Sequence, residues 1–600
     1  MNYIRKLFEY LSKIHFSIWI ALIIVFAVFR LISIFSLRDG HHVDEAWSYG
    51  FANSYYKTQV FGGFYQYEWE NVGEWISSDV FNDYITVSEG ERFTFDSVLY
   101  NKNLDLSPAL YELLLHLVCS LFPNSFSWNY AFFINLLFYV PTLVFVYLIS
   151  YQFTNSRACG LACLIYFVFS GSGTANFLYL RVYHMFTFFV LVLFWLIQKI
   201  IKNENKKNIY YWLLPIITFL GCFTHYYFFV IAFLFTCFSA LLLLLKRRYV
   251  DWFRLCYVML ISVLFFFAVY SPALNMILPF TGGDAAGGYS YPYSWDLAVA
   301  NRHFFTDTLG FYINFRVASL IMFLGSLIFL CIIVGLMYFL FRKESWMDNL
   351  LGLLRNKMRD CSKSFMCFAK KIDITFIVAL LTIGLDILII PYSSSLCNMG
   401  YIERYFFPVL CLFIVLYASV IGMLIKEIII SKANSFLKLS CVMLILVLLL
   451  VQRNYSKIYT DRFMFLTMNE NELIDNVSNK DCYVYTSSLR DLVWLSTVLN
   501  ESNNAFVDFK GEFSCDAVVF PEDQCEGVLL IVDNGFMTEE QKQEYEETDS
   551  FELNDIMRPQ VMMTMQDYIN NIEEKTSCRF QLINEYKTYI GDIKLYKMTE

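Results

Sequence analysis

The feature that most constrains this chain is a repeated run of apolar residues about as long as a bilayer is thick. A helix needs roughly 20 apolar residues to cross a hydrocarbon core, and within that core only helices and closed barrels satisfy the backbone. The 600 residues are 57% hydrophobic and 16% charged, which excludes an ordinary soluble enzyme. We predict a polytopic α-helical membrane protein with about 11 transmembrane helices. The predicted spans lie near residues 16–36, 127–151, 156–173, 177–199, 209–222, 224–245, 254–275, 317–341, 372–391, 405–426 and 438–452.

Charge divides the chain into two parts. Residues 453–600 carry 28 acids and 13 bases, whereas the preceding residues carry 26 acids and 32 bases. Basic clusters between the apolar runs predict the cytoplasmic loops and a cytoplasmic N-terminus, so that an odd number of spans places the C-terminal part outside. We predict a protein of the cytoplasmic (inner) membrane. Its transmembrane domain, 1–452, includes an extracytoplasmic loop at 37–126, and 453–600 form an extracytoplasmic domain.

The C-terminal part shows the pattern of a small soluble α/β domain. Strand-like runs occur at 482–485 and 528–532, a hairpin is predicted from 580 to 597, and 487–499 has a helical pattern. Four cysteines lie on the predicted oxidising side and permit up to two disulfides in three alternative pairings. They are Cys482, Cys515, Cys525 and Cys578. Capping of a catalytic cleft, acceptor binding and contact with a partner all remain open roles for this domain.

Acids and histidines follow the first predicted span at once. Asp44 and Glu45 are adjacent, and His41 and His42 precede them. A carboxylate here can act as general base toward an acceptor hydroxyl, and its neighbour can bind a sugar hydroxyl or a metal. The four side chains are also the candidate ligands for a divalent ion, because they offer suitable N and O atoms. A solvated acidic turn is the simpler alternative.

Further charged and polar residues lie at predicted outer ends of spans. Arg181 starts one span and Arg404 starts another, while His225 lies between two spans on the same predicted side as Asp44. Charges at the membrane edge are functional candidates, and arginine suits a phosphate or pyrophosphate. The alternatives are snorkelling to lipid phosphates for the arginines and membership of an interfacial aromatic belt for His225.

In their order along the chain, these motifs resemble the GT-C superfamily of integral-membrane glycosyltransferases, of the protein-mannosyltransferase and aminoarabinose-transferase type. The resemblance covers roughly residues 16 to 430. The motifs are the acid pair Asp44-Glu45, the stretch from Asp105 to His116, Arg181-Val182-Tyr183, Thr224-His225-Tyr226 and Glu403-Arg404-Tyr405-Phe406-Phe407-Pro408.

The resemblance implies an enzyme that passes a hexose or pentose from a polyprenyl-phosphate carrier to a glycan, lipid or protein acceptor at the outer membrane face. It implies Asp44 as general base and Glu45 as a second catalytic or positioning acid. The donor- and acceptor-binding candidates are Asp105, Arg181, Tyr183, His225, Tyr226 and Arg404. A membrane-surface helix is expected from Pro108 to Phe122. Ser107, Ala109 and Glu112 depart from the family pattern, where a histidine, a second proline and a second tyrosine are common.

The rival class is a transporter or flippase of lipid-linked sugars, which would share the polytopic body and the basic contacts to the headgroup. Such proteins usually show internal repeats and charges near the middle of the membrane, and no convincing repeat is visible in the sequence. The one-sided placement of the candidate residues favours chemistry at the outer face. Neither part of the chain suggests nucleic-acid binding, and the expected partners are the lipid-linked donor, membrane lipid and the acceptor.

Overall fold

The computed structural model describes most of the chain, with several gaps. The described residues are 15–57, 61, 71, 73–105, 107–202, 208–277, 373–397, 402–430, 465–466, 468–509, 527–532, 536, 563–576, 578–588 and 590–599. The helices are α1 Phe16–Phe35, α2 Val43–Asn53, α3 Asp79–Ile85, α4 Phe95–Leu104, α5 Leu110–Cys119, α6 Trp128–Thr154, α7 Arg157–Phe169, α8 Gly171–Leu178, α9 Tyr183–Lys202, α10 Ile209–Cys222, α11 Tyr227–Leu245, α12 Tyr249–Val269, α13 Pro272–Ile277, α14 Ile374–Cys397, α15 Phe407–Ile430, α16 Glu470–Val477, α17 Asp491–Leu499 and α18 Met565–Thr576. The strands are β1 Trp75–Ser77, β2 Cys482–Thr486, β3 Asn504–Phe509, β4 Val528–Val532, β5 Arg579–Lys587 and β6 Asp592–Thr599.

Nine of the predicted spans coincide with helices of the described residues. Six helical segments there are long and apolar enough to cross a membrane: α1, α6, α9, α11, α12 and residues Arg404–Lys426, which include most of α15. The predicted spans 317–341 and 438–452 lie outside the described residues. The expected number of about 11 transmembrane helices therefore stays a prediction. The chain is an integral membrane protein.

The chain divides into two compact units. A helical unit contains residues 1–32 and 135–461, and a sheet unit contains 33–134 and 462–600. This division differs from the expected one, which assigned loop 37–126 to the transmembrane domain. In the sheet unit the loop supplies β1, whose Trp75 pairs with Phe506 of β3. Backbone pairing between residues so distant in sequence cannot be recognised from changes in composition along the chain.

The helical unit is organised around α9, most of whose residues are buried. By contrast, α1 and α12 each expose large apolar side chains, including Phe29 and Leu260, as lipid-facing helices do. Gly422 of α15 approaches α7 so closely that an added Cβ would lie 3.3 Å from Cys159 Cβ. Close approach of this kind at small residues is typical of helix packing in membranes.

A six-stranded sheet forms the second unit, in the order β1-β3-β2-β4-β6-β5. The three central strands β3, β2 and β4 are parallel, and the other neighbours pair antiparallel. All residues of β2 and β4 are buried, which explains their continuous apolar character. The predicted strands, the predicted hairpin (β5–β6) and the helix after β2 (α17) are therefore confirmed.

One face of the sheet forms an aromatic core with α18. Tyr483 and Tyr485 of β2, Phe506 of β3 and Leu529 of β4 pack there with Tyr568 of α18. Burial raises the pKa of the Tyr568 hydroxyl well above its usual range, and Asp508, which accepts a hydrogen bond from it, raises it further. On β2, the Cys482 thiol is buried and free, and Cys515 and Cys525 lie outside the described residues.

Candidate active site

Asp44 lies in the first turn of α2, where the backbone itself favours a negative charge. His42 is the N-cap residue and its Nδ1 accepts a hydrogen bond from Asp44 N–H at 3.0 Å. A helix N-terminus stabilises carboxylates in its first turn, and the cap satisfies one of the otherwise unpaired amides. Because His42 Nδ1 accepts, it carries no proton in this geometry. Asp44 is 4% exposed.

Glu45 has a different environment from its neighbour. Its carboxylate accepts a hydrogen bond from His42 N–H at 2.8 Å, which completes a capping box, and it forms an ion pair with Arg38. The Arg38 and Glu45 side chains are 5% and 0% exposed, and Arg38 Nε–H donates to Gly40 O at 2.8 Å. Glu45 thus fixes the start of the helix that carries Asp44.

The four candidate metal ligands do not gather around one point. His41 Nδ1 lies 2.7 Å from Glu470 Oε2, whereas His42 and Glu45 serve the helix cap and Arg38. Within the described part of the chain, no group of three His, Cys, Asp or Glu side chains is placed to hold a metal ion. The arrangement does not fit a divalent-ion site, and we derive no chemistry from one.

A buried polar network continues from α2 into the following loop. Ser48 lies one turn after Asp44 on the same side of the helix, and its hydroxyl donates to Glu112 Oε1 at 3.2 Å. Lys102 Nζ lies 3.7 Å from that carboxylate and 2.8 Å from Asp105 Oδ2. The Lys102 and Glu112 side chains are 3% and 4% exposed, but Asp105 is 30% exposed. The network therefore reaches the surface at Asp105.

Ser107 and Glu112 both belong to this network. Glu112 stands on α5, within the expected surface helix, and forms an ion pair with Lys102. Ser107 donates a hydrogen bond to Asp105. The Lys102 ammonium pairs with the Asp105 and Glu112 carboxylates, so that these charges are buried together and not singly.

The helical unit contains the remaining candidates. Tyr183, His225 and Tyr405 form a triangle of rings with centroids 5.6 to 6.0 Å apart. The Arg404 guanidinium lies 5.3 Å from the Tyr405 ring centroid, and its Nη2–H donates to the Tyr405 hydroxyl at 3.4 Å. His225 Nδ1 accepts from Tyr227 N–H at 3.2 Å. A cation and three aromatic rings are thereby brought together.

Two other candidates border this aromatic cluster. Arg181 lies just before α9, two residues before Tyr183, and its carbonyl accepts a hydrogen bond from His184 Nδ1–H at 2.7 Å. Tyr226 is the residue directly before α11. The candidates thus form two groups: His41, His42, Asp44, Glu45 and Asp105 in the sheet unit, and Arg181, Tyr183, His225, Tyr226 and Arg404 in the helical unit.

Several residues that contact the candidate residues were not predicted from the sequence. Tyr405 stands beside Arg404, so the motif itself could have indicated it. Lys102 and Arg38 are charges near the acids, but nothing in the sequence pairs them with Glu112 and Glu45. No sequence signal links Glu470 and Trp494 to His41, because more than 400 residues separate them.

Comparisons with known proteins give matches at the level of structure. No model of a protein family matches the sequence, and no curated protein matches it. The structure is similar to that of ArnT from Cupriavidus metallidurans bound to undecaprenyl phosphate, with 8% identity, a TM-score of 0.44, and 96% of this chain and 97% of that chain covered. It is also similar to ArnT from Cupriavidus metallidurans in the apo state, with 8% identity, a TM-score of 0.40 and coverages of 89% and 95%.

Proposed function

We propose that this chain is a polyprenyl-phosphate-sugar-dependent glycosyltransferase of the GT-C type. It transfers a sugar to a glycan, lipid or protein acceptor on the extracytoplasmic side of the membrane. The observation that carries the proposal is the placement of Asp44 at a capped helix start, next to a buried polar network that surfaces at Asp105.

Asp44, rather than Glu45, is the general base. Glu45 is engaged by Arg38 and by the backbone of its own helix cap, so that accepting a proton would cost both contacts. Asp44 N–H donates to His42 Nδ1 at 3.0 Å, and Asp44 Oδ1 lies 3.8 Å from the same ring nitrogen. A carboxylate positioned in this way takes the proton of an acceptor hydroxyl as that oxygen attacks the anomeric carbon. The Asp105 carboxylate, 30% exposed, binds a hydroxyl of the acceptor or donor.

The donor phosphate binds at the cations of the helical unit. When the sugar leaves its carrier, negative charge develops on the lipid phosphate, and fixed cations stabilise that charge in the transition state. Arg181 and Arg404 supply the guanidinium groups, whose geometry suits phosphate oxygens. Tyr183, His225 and Tyr226 supply rings and polar atoms for the sugar and its phosphate. The carrier bond provides the free energy, and no nucleotide is required.

The test is sugar transfer in proteoliposomes. Radiolabelled mannose, glucose and 4-amino-4-deoxyarabinose on undecaprenyl phosphate are supplied as donors, with envelope extract as acceptor. Wild type is compared with Asp44→Asn and with Asp79→Asn, which makes the same change at an exposed acid in the first turn of α3. We expect label in product with wild type and Asp79→Asn, and a loss of about 10²-fold or more with Asp44→Asn.

The opposite outcome has a defined meaning. If wild type moves the intact lipid-linked sugar across the bilayer without forming product, and Asp44→Asn moves it equally well, the protein is a flippase. Transfer that persists undiminished in folded Asp44→Asn would refute the role of this carboxylate as base.

A further inference from the structure

The segment that leads into the Asp44 helix is held by the C-terminal part of the chain, within the sheet unit. Trp494 Nε1–H donates to the His41 carbonyl at 3.0 Å. The two rings lie parallel, with an interplanar angle of 5° and centroids 4.8 Å apart. Both residues are completely buried. One tryptophan of α17 therefore holds both the backbone and the ring of His41.

Glu470 fixes the same histidine from a second direction. Its Oε2 lies 2.7 Å from His41 Nδ1, and since a carboxylate only accepts, Nδ1–H is the donor. Oε1 of the same carboxylate accepts from the Thr497 hydroxyl at 3.3 Å. The adjacent histidines consequently differ in their tautomers, because His42 Nδ1 is an acceptor.

Asp39, two residues before His41, is bound to the C-terminal part of the chain through its backbone and its carboxylate. Asp39 N–H donates to Phe465 O at 2.9 Å, and Asp39 O accepts from Met468 N–H at 3.0 Å. Its carboxylate accepts from Asn471 N–H at 2.9 Å, at the start of α16. The chain is thus held at Asp39 and at His41, immediately before the His42 cap.

These contacts control where Asp44 sits, because few free torsions separate them from it. From His41 the chain passes through the N-cap residue directly into helical backbone at Val43. Farther along, α17 packs against α2, and the Arg490 guanidinium lies 5.1 Å from the Trp47 ring centroid. A rotation at His41 would therefore be transmitted to the first turn of α2.

We propose that Trp494 and Glu470 are positioning residues that set the place and orientation of the Asp44 carboxylate. The proposal rests on the proposed role of Asp44 as general base. On this proposal, the C-terminal domain fixes the start of α2, the helix that carries Asp44. Trp494 and Glu470 act through Asp44 and not on the reacting atoms. A displacement of about 1 Å at a catalytic group can lower the rate 10²-fold.

Two substitutions in the full-length protein test the positioning role of Trp494 and Glu470. Trp494→Phe keeps an aromatic ring and removes the Nε1–H donor, and Glu470→Gln keeps the shape and removes the charge. Using the undecaprenyl-phosphate-linked sugar that wild type accepts, we expect kcat to fall about 10- to 100-fold while the KM for the donor stays within about twofold. Trp212→Phe, at a tryptophan that is 73% exposed, and Glu501→Gln, at an exposed acid, should behave as wild type.

The decisive experiment combines Trp494→Phe with Asp44→Asn. If Trp494 acts through Asp44, it adds no further loss to the residual rate of Asp44→Asn, whereas an independent effect would multiply the two losses. Hydrogen exchange of the peptide covering residues 39–47 should rise in Trp494→Phe and Glu470→Gln and stay unchanged in the controls. Multiplied losses would overturn the proposal.

The outcomes separate the two proposals. In one outcome, Asp44→Asn is inactive while folded Trp494→Phe and Glu470→Gln transfer sugar at the wild-type rate. That result would refute the positioning role of Trp494 and Glu470 and leave the proposed glycosyltransferase activity intact. If Asp44→Asn transfers sugar normally, the general base is refuted, and the positioning role falls with it.

Discussion

Lys102 and Glu112 form a buried ion pair, with Nζ and Oε1 3.7 Å apart and side chains 3% and 4% exposed. Lys102 Nζ also lies 4.5 Å from the centroid of the Phe51 ring, on the helix that carries Asp44. The pair connects α4 and α5 to α2, since Ser48 donates to the same carboxylate. Three elements are therefore held together by charged groups that cannot easily be separated.

Removing the cation of this network should destabilise the sheet unit. We expect Lys102→Met to cost about 3–5 kcal/mol, because it leaves carboxylate charge in a buried place. The double variant Lys102→Met/Glu112→Leu should recover part of the loss, since it also removes one of the acids. Chemical unfolding of the detergent-solubilised protein measures both values. A double variant less stable than Lys102→Met would contradict this account.

The ion pair of Arg38 and Glu45 should be weakened even when Arg38 is replaced by lysine, which is also a base. Arg38→Lys keeps the charge but loses the Nε–H bond to Gly40 O and the planar fork that meets the carboxylate. We expect Arg38→Met to cost about 3–5 kcal/mol and Arg38→Lys to lie between it and wild type. Thermal unfolding of the three proteins provides the comparison, and equal stability of Arg38→Lys and wild type would show that charge alone is sufficient.

Gly40 should not tolerate a side chain. Its φ of +149° is a conformation that L-residues rarely adopt, and an added Cβ would lie 2.6 Å from Met468 Cβ. Gly40→Ala should therefore cost roughly 1–3 kcal/mol and lower transfer as well, because it disturbs the segment before Asp44. The matched control is Gly90→Ala, where a Cβ meets nothing within 4 Å. Comparable losses in both variants would show that the effect is not specific to this contact.

Acid should destabilise the sheet unit through His116. Burial lowers the pKa of this histidine, and the Ala52 backbone raises it by less. The unfolded chain therefore binds more protons than the folded one below about pH 6.5, so stability is fully present above that pH and declines as the pH falls. His116→Leu should flatten this decline between pH 7 and pH 5 in unfolding experiments, whereas His15→Leu, at an exposed histidine, should not. An unchanged slope in His116→Leu would count against this explanation.

The local pattern of the sequence was sufficient for much of the architecture. Apolar runs of bilayer length identified α1, α6, α9, α11 and α12, and β-branched and aromatic runs identified β2 and β4. These predictions succeeded because helix formation, strand formation and burial depend largely on residues close in the chain. The acid pair was also visible, since Asp44 and Glu45 directly follow an apolar run.

The contacts of Glu45 and His41 join residues that no local pattern connects. Arg38 folds back onto Glu45, and Glu470 and Trp494 reach His41 from the C-terminal segment. The sequence alone therefore determined that the chain enters the membrane repeatedly and carries acids and cations at the ends of its spans. Only the tertiary structure decided that loop 37–126 and the C-terminal segment share one sheet, because strand pairing and side-chain packing join residues whose distance along the chain leaves no trace in composition or periodicity.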